Sequence, residues 1–186
     1  MTAARQWLDD QGAYDAAVVY PLTDADACVV RSLRALLATG VPPRDEPPHL
    51  TLLYLGRVAG SQLLDVAAAL APLMWPLLDV RVSGVGVFTP PGRVVAYLGI
   101  EAGQELVAAH QRAYDACARQ PWFAPGPWAG DRWRPHITIV ERSDAFAVDD
   151  PHLQQAIGRM MPLRRAALVA QRLDPFVICD LTMETE

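Results

Sequence analysis

Two stretches of the chain alternate apolar and polar positions in the same unusual way. "EPPHLTLLYLGR" (Glu46 to Arg57) and "RPHITIVER" (Arg134 to Arg142) each place a histidine after a proline, then an apolar residue, a threonine and an apolar run. In a β-strand, residues two apart point to one face, about 6.5–7 Å apart along the chain. His49 and Thr51 therefore share a face, as do His136 and Thr138. Leu50, Leu52, Ile137 and Ile139 turn the other way, into a core. The same parity puts Arg134, Val140 and Arg142 beside His136 and Thr138. It puts Pro47, Leu53 and Leu55 beside His49, with Arg57 at the end, and sends Tyr54 to the core.

The remaining pattern predicts the elements around these strands. "YDAAVVYPL" (14–22) is an apolar strand, followed by a helix with Thr23 or Asp24 as N-cap and Gly40 as its stop. A proline-rich connection leads to the first motif strand, 49–55. Gly60 or Ser61 opens a second helix through about 73. "LLDVRVSGVGVF" and "RVVAYLGIE" are strands joined by the turn "TPPG". A third helix runs from 104 to about 119. The irregular "QPWFAPGPWAGDRWRP" then carries Trp122, Phe123, Trp128 and Trp133 into the second motif strand. A helix capped by Asp150, with Pro151 in its first turn, spans "DDPHLQQAIGRM", and "ALVAQRLD" and "PFVICDLTM" close the chain as strands. Each motif strand lies between helices, which reads as a duplicated α+β unit rather than alternating βαβ.

Composition narrows the chemistry. With 186 residues, 52% of them hydrophobic and 20% charged, the chain suits one domain with a real core. No apolar run of about 18 residues spans a bilayer, and the N-terminus lacks the apolar core of a signal peptide. Cys28, Cys117 and Cys179 are odd in number and widely spaced, as expected of buried reduced thiols in a cytoplasmic protein. A net charge of −5 argues against a broad basic face for long nucleic acid, though not against a few arginines around one small phosphate. All 16 Lys+Arg residues are arginine. Lysine nucleophiles and the P-loop lysine are thereby excluded, which leaves histidines, carboxylates, hydroxyls and thiols.

A matched pair of imidazoles suits acid–base work, because one accepts a proton near neutral pH while the other donates one. At a phosphodiester, the base activates water or a ribose hydroxyl and the acid protonates the departing oxygen. Threonine hydroxyls can hydrogen-bond the phosphate oxygens as charge develops. Arg134 and Arg142 are candidate phosphate clamps. Catalytic zinc usually takes three protein ligands, and neither motif strand offers a second at same-face spacing, so no metal and no cofactor is expected. His110 and His152, on amphipathic helices without a threonine partner, read as surface residues. The tryptophan loop suits either of two roles, stacking a base or capping the core, with Trp133 and Trp128 as the stacking candidates.

"PHLTLLYLG" and "RPHITIVER" resemble the two His-x-Thr-x motifs of the two-histidine (2H) phosphoesterase superfamily. The likeness is closest to the branch of bacterial 2′-5′ RNA ligases and RNA 2′,3′-cyclic phosphodiesterases, and "PPGRVVAYLGIE" extends it. The resemblance implies His49 and His136 as acid and base, with Thr51 and Thr138 as phosphate ligands. It implies an α+β fold over residues 1–186: a bilobal duplicated unit, with two mainly antiparallel sheets facing a central groove and helices outside. The implied activity is metal-independent cleavage of a 2′,3′-cyclic phosphate, a 2′-5′ linkage or a cyclic oligonucleotide. The expected partner is a small nucleotide or RNA end, bound by a monomer without membrane or long nucleic acid. The competing class is a non-catalytic nucleotide-binding or sequestering module, which would not demand both an acid and a base.

Overall fold

A computed structural model describes residues 12–37, 46–126, 129–142, 150–171 and 175–182. The chain opens with β1 (Ala13–Pro21), α1 (Asp24–Leu37), β2 (His49–Ala59) and α2 (Gly60–Leu70). Next come the hairpin β3 (Leu78–Phe88) and β4 (Val94–Ile100), α3 (Gln104–Ala118) and β5 (His136–Arg142). It closes with α4 (Pro151–Gln154), β6 (Met160–Leu163), β7 (Ala167–Gln171) and β8 (Pro175–Asp180).

Local chemistry explains the boundaries. Thr23 Oγ1 accepts the Asp26 backbone N–H at 3.4 Å, capping α1 as its sequence predicts. The β3–β4 turn closes through Arg93 N–H to the Pro90 carbonyl, with Gly92 at φ 77°, a conformation glycine adopts without strain. Asp150 caps α4 through the His152 N–H, and Pro151 occupies the first turn. The last helix is shorter than expected: it ends at Gln154, and Gly158 turns the chain at φ 85°. Met160, expected in the helix, instead begins β6. That strand lies at the sheet edge, where Pro162 costs no ladder hydrogen bond.

All eight strands join one antiparallel sheet in the order β6-β3-β4-β5-β2-β1-β7-β8. This differs from the expected pair of sheets facing a groove. The two motif strands are neighbours at the centre of one sheet, so their polar faces lie side by side. Among the described residues, Leu50 opposite Ile137 is the single register pair that joins them. The order is nevertheless duplicated: β1-α1-β2 and β4-α3-β5 are each a strand, a helix and a motif strand paired antiparallel to the first.

The helices tie the halves together by crossing over. α1 packs on β5, while α2 and α3 pack on β2. Leu50, Leu52, Ile137 and Ile139 are fully buried beneath them, with Val30 and Leu33 of α1 and Leu106, Ala109 and Ala113 of α3. A second tie is polar. The buried Asp26 carboxylate accepts both Arg159 Nε (3.0 Å) and Nη2 (2.8 Å), linking the start of α1 to the start of β6. Cys117 is buried as expected, and burial pushes its thiol up to about 11, but Cys28 is exposed on α1.

Candidate active site

The histidines are held alike. His49 Nδ1 lies 3.0 Å from the Pro47 carbonyl oxygen, and His136 Nδ1 lies 2.7 Å from that of Arg134. Each contact reaches back two residues. A carbonyl only accepts, so Nδ1 must carry the hydrogen, and in a neutral ring Nε2 keeps the lone pair for chemistry. The proline or arginine ahead of each motif thus contributes a main-chain acceptor.

The antiparallel register crosses the pairs. With Leu50 opposite Ile137, His49 stands across from Thr138 and Thr51 across from His136. His49, Thr51 and Thr138 line one cavity of about 190 Å³ on this face. His136 stands outside that lining, packed edge-on by Phe88 (centroids 4.9 Å) and Tyr97 (5.3 Å), which stack on each other at 4.1 Å. Tyr97 lies over Gly86, where an added Cβ would run into its ring.

The electrostatics distinguish the two rings. Burial lowers the His136 pKa from the ordinary imidazole value; its bond to the Arg134 carbonyl opposes this, and the nearby charge of His49 lowers it further. The neutral ring is therefore favoured at His136. His49 has the Glu46 carboxylate 3.7 Å from Nδ1.

Bulges correct the simple alternation beyond each threonine. On β2 the register skips a residue between Thr51 (opposite Val19) and Leu53 (opposite Val18). On β5 it skips one between Thr138 (opposite Tyr97) and Val140 (opposite Ala96). Leu52 and Ile139 are the extra residues, so side-chain parity inverts after them. Leu53 and Val140 are consequently buried, whereas Tyr54 is 53% exposed and lines the cavity. Leu55 is buried as well, contrary to strict alternation, beside a second register shift.

The bulge also decides the arginines. Glu141, not Arg142, returns to the parity of Thr138. Arg142 instead donates from Nη1 to the Leu37 carbonyl at 2.6 Å, closing the C-terminal end of α1. The structure thus ties this expected phosphate clamp to the end of a helix. Arg134 is exposed, and its Nη1 donates to the Asp131 and Trp133 carbonyls of its own loop, at 3.3 and 3.0 Å. Two other arginines reach the site. Arg34 lines the cavity, donating to the Ile139 carbonyl of β5 at 2.8 Å and to the Glu46 carbonyl, ahead of β2, at 3.3 Å. Arg93 pairs with Glu141 at 2.7 Å and lies within electrostatic reach of Tyr54. Neither belongs to a motif strand, and only the tertiary fold brings them here.

Trp133, one of the two stacking candidates, packs against the fold. Its ring stacks on His110 at 4.2 Å and 3°, and its Nε1 donates to the Thr51 carbonyl at 3.3 Å, pinning the loop to the first motif. Trp122 and Phe123 also pack against the core; Trp128 lies outside the described residues. His110, expected at the surface, is buried on the Leu106–Ala109–Ala113 stripe of α3, where small alanines make room. Its Nδ1 lies 2.7 Å from the Leu52 carbonyl, and its Nε2 faces the Gly130 carbonyl without reaching hydrogen-bond geometry. Burial lowers its pKa. His152 is exposed, as expected. Among the described residues no three His, Cys, Asp or Glu side chains converge as a metal site. No helix among them is long and apolar enough to cross a membrane.

Two motif strands side by side, each carrying a fixed imidazole and a hydroxyl, define a two-histidine site. A model of the 2′-5′ RNA ligase superfamily matches residues 21–174, a span that holds both motifs. The chain belongs to that superfamily. Solved structures agree on the fold. A phosphoesterase superposes with TM-score 0.67 at 17% identity, covering 92% of this chain and 100% of its own. E. coli LigT complexed with 3′-AMP gives 0.67 at 19% identity, and LigT complexed with ATP 0.68 at 18%, each with the same coverage. A comparison with curated protein sequences gives no match.

Proposed function

We propose that the protein is a metal-independent phosphodiesterase using His136 as base and His49 as acid. The observation that carries this reading is the crossed pair of imidazoles, each fixed through Nδ1 and each opposite a threonine of the other motif. In hydrolysis of a 2′,3′-cyclic phosphate, His136 Nε2 takes a proton as water attacks phosphorus. The bond from phosphorus to one ribose oxygen breaks, and His49 donates its proton to that oxygen. The Thr51 and Thr138 hydroxyls hold the non-bridging oxygens as their charge grows. Residues 1–186 act as one unit of two lobes, each lobe contributing a histidine and a threonine.

The low pKa of His136 sets an expected pH profile. A base must be neutral, so the rate should rise as pH climbs through that pKa. The acid limb of kcat/KM should therefore lie below the ordinary imidazole value of about 6.5. A limb well above 6.5 would reverse the assignment.

Two further outcomes test the reading. Turnover should persist in excess EDTA; loss on chelation, restored by zinc or manganese, would contradict the mechanism. Substrates should be small, because a chain of net charge −5 offers no surplus of cations for an extended track, and Arg34 is the one arginine among the described residues that lines the cavity. LigT structures hold 3′-AMP and ATP, which supports a nucleotide-sized ligand here. Across a series from mononucleotide to long single strand, affinity should plateau within a few nucleotides. Affinity that keeps climbing with length, with a steep salt dependence, would instead indicate a polynucleotide enzyme.

A further inference from the structure

We propose that the cavity beside His49 is a nucleobase subsite that prefers guanine over uracil, with the Asp15 carboxylate as reader and the Tyr54 ring as stacking wall. This rests on the phosphodiesterase reading and adds the identity of the base. The cavity is lined by His49, Thr51 and Thr138, so a nucleoside whose phosphate lies between the threonines can send its base into it. Its volume of about 190 Å³ is below the ~300–1,000 Å³ of drug-sized pockets and suits one planar ring system with part of a sugar.

The lining is layered as a base requires. Ala17 and Val169, paired across β1 and β7, give a small apolar floor. Tyr54 supplies a half-exposed ring, and its hydroxyl donates to Asp15 Oδ1 at 3.0 Å, which restrains the wall. Asp15 and Gln171 stand opposite each other in the β1–β7 pair and form a polar edge. An ionised carboxylate only accepts hydrogen bonds. Guanine places N1–H and its 2-amino group side by side, which matches two carboxylate oxygens. Its neighbouring carbonyl falls to the glutamine amide. Uracil offers one N–H between two carbonyl oxygens, and both would face the carboxylate unfavourably. The sequence conceals this subsite, because strict alternation sends Tyr54 to the core and only the bulge at Leu52 returns it.

The test compares guanosine and uridine 2′,3′-cyclic phosphates as substrates, and 3′-GMP and 3′-UMP as calorimetric ligands. Binding needs no turnover, so failure of the phosphodiesterase reading (neither diester cleaved) is separable from failure of the subsite. The wild type should favour guanosine by about tenfold or more in both measurements. Asp15 is exposed, and Asp15→Asn preserves its shape; that variant should reduce the preference to within about threefold. Tyr54→Ala should weaken binding of both nucleotides by about tenfold, the scale of one lost stacking contact. Equal binding of 3′-GMP and 3′-UMP by the wild type would overturn the proposal. So would a guanosine preference that survives Asp15→Asn unchanged.

Discussion

Replacing either histidine with alanine is expected to lower turnover by about 10²–10⁴-fold, the usual share of general acid–base catalysis. The two losses should not multiply in the double variant, because the groups act on the same transition state. The fold should persist in each, since both rings lie on the polar face of the sheet and neither is fully buried. Their backbone bonds to Pro47 and Arg134 are local, and the strands keep their ladders to β1 and β4 without them. The variants should also differ. Loss of His136 should remove the acid limb of the pH profile, whereas loss of His49 should hurt least on substrates with good leaving groups that need little protonation. A variant that retains wild-type turnover on a substrate the protein cleaves would make that histidine structural.

Thr51→Val and Thr138→Val keep the β-branched shape and remove only the hydroxyl. Each is expected to cost about 10-fold to 10³-fold in kcat, as for removal of one donor from a developing oxyanion. Because each threonine stands opposite the other motif's histidine, the two effects should be comparable and not confined to one half of the chain. The Trp133 bond to Thr51 is made to its main-chain carbonyl, so valine leaves that anchor in place. Steady-state kinetics with circular dichroism would check this. Unchanged kcat in both variants would show that the threonines only pack.

The placement of His49, Thr51, His136 and Thr138 was legible in the sequence because a strand's period of two is fixed by backbone geometry. His-x-Thr places two groups on one face wherever the strand goes. Tyr54, Val140 and Arg142 were misplaced for the complementary reason. One extra residue in the ladder inverts every later side chain, and Leu52 and Ile139 look like ordinary strand residues. Arg34 and Arg93 were hidden because a helix and a turn deliver them from outside the motifs. His110 and Trp133 pack together only after α3 crosses onto β2, a contact between distant segments that no local pattern contains. The single sheet escaped for a related reason. Duplicated units announce themselves by element order, but whether their strands face each other or join edge to edge depends on long-range contacts such as Leu50 with Ile137 and α1 with β5.

The central claim is two-histidine cleavage of a phosphodiester, and phosphorus NMR tests it most directly. Wild-type protein in excess EDTA should be incubated with nucleoside 2′,3′-cyclic phosphates and a 2′-5′ dinucleotide, beside the His49→Ala/His136→Ala double variant. The account predicts that the wild type converts at least one diester resonance to a monoester, while the double variant leaves the spectrum unchanged over the same time. Conversion at equal rates by both proteins, or none by folded wild-type protein on any of these substrates, would contradict it.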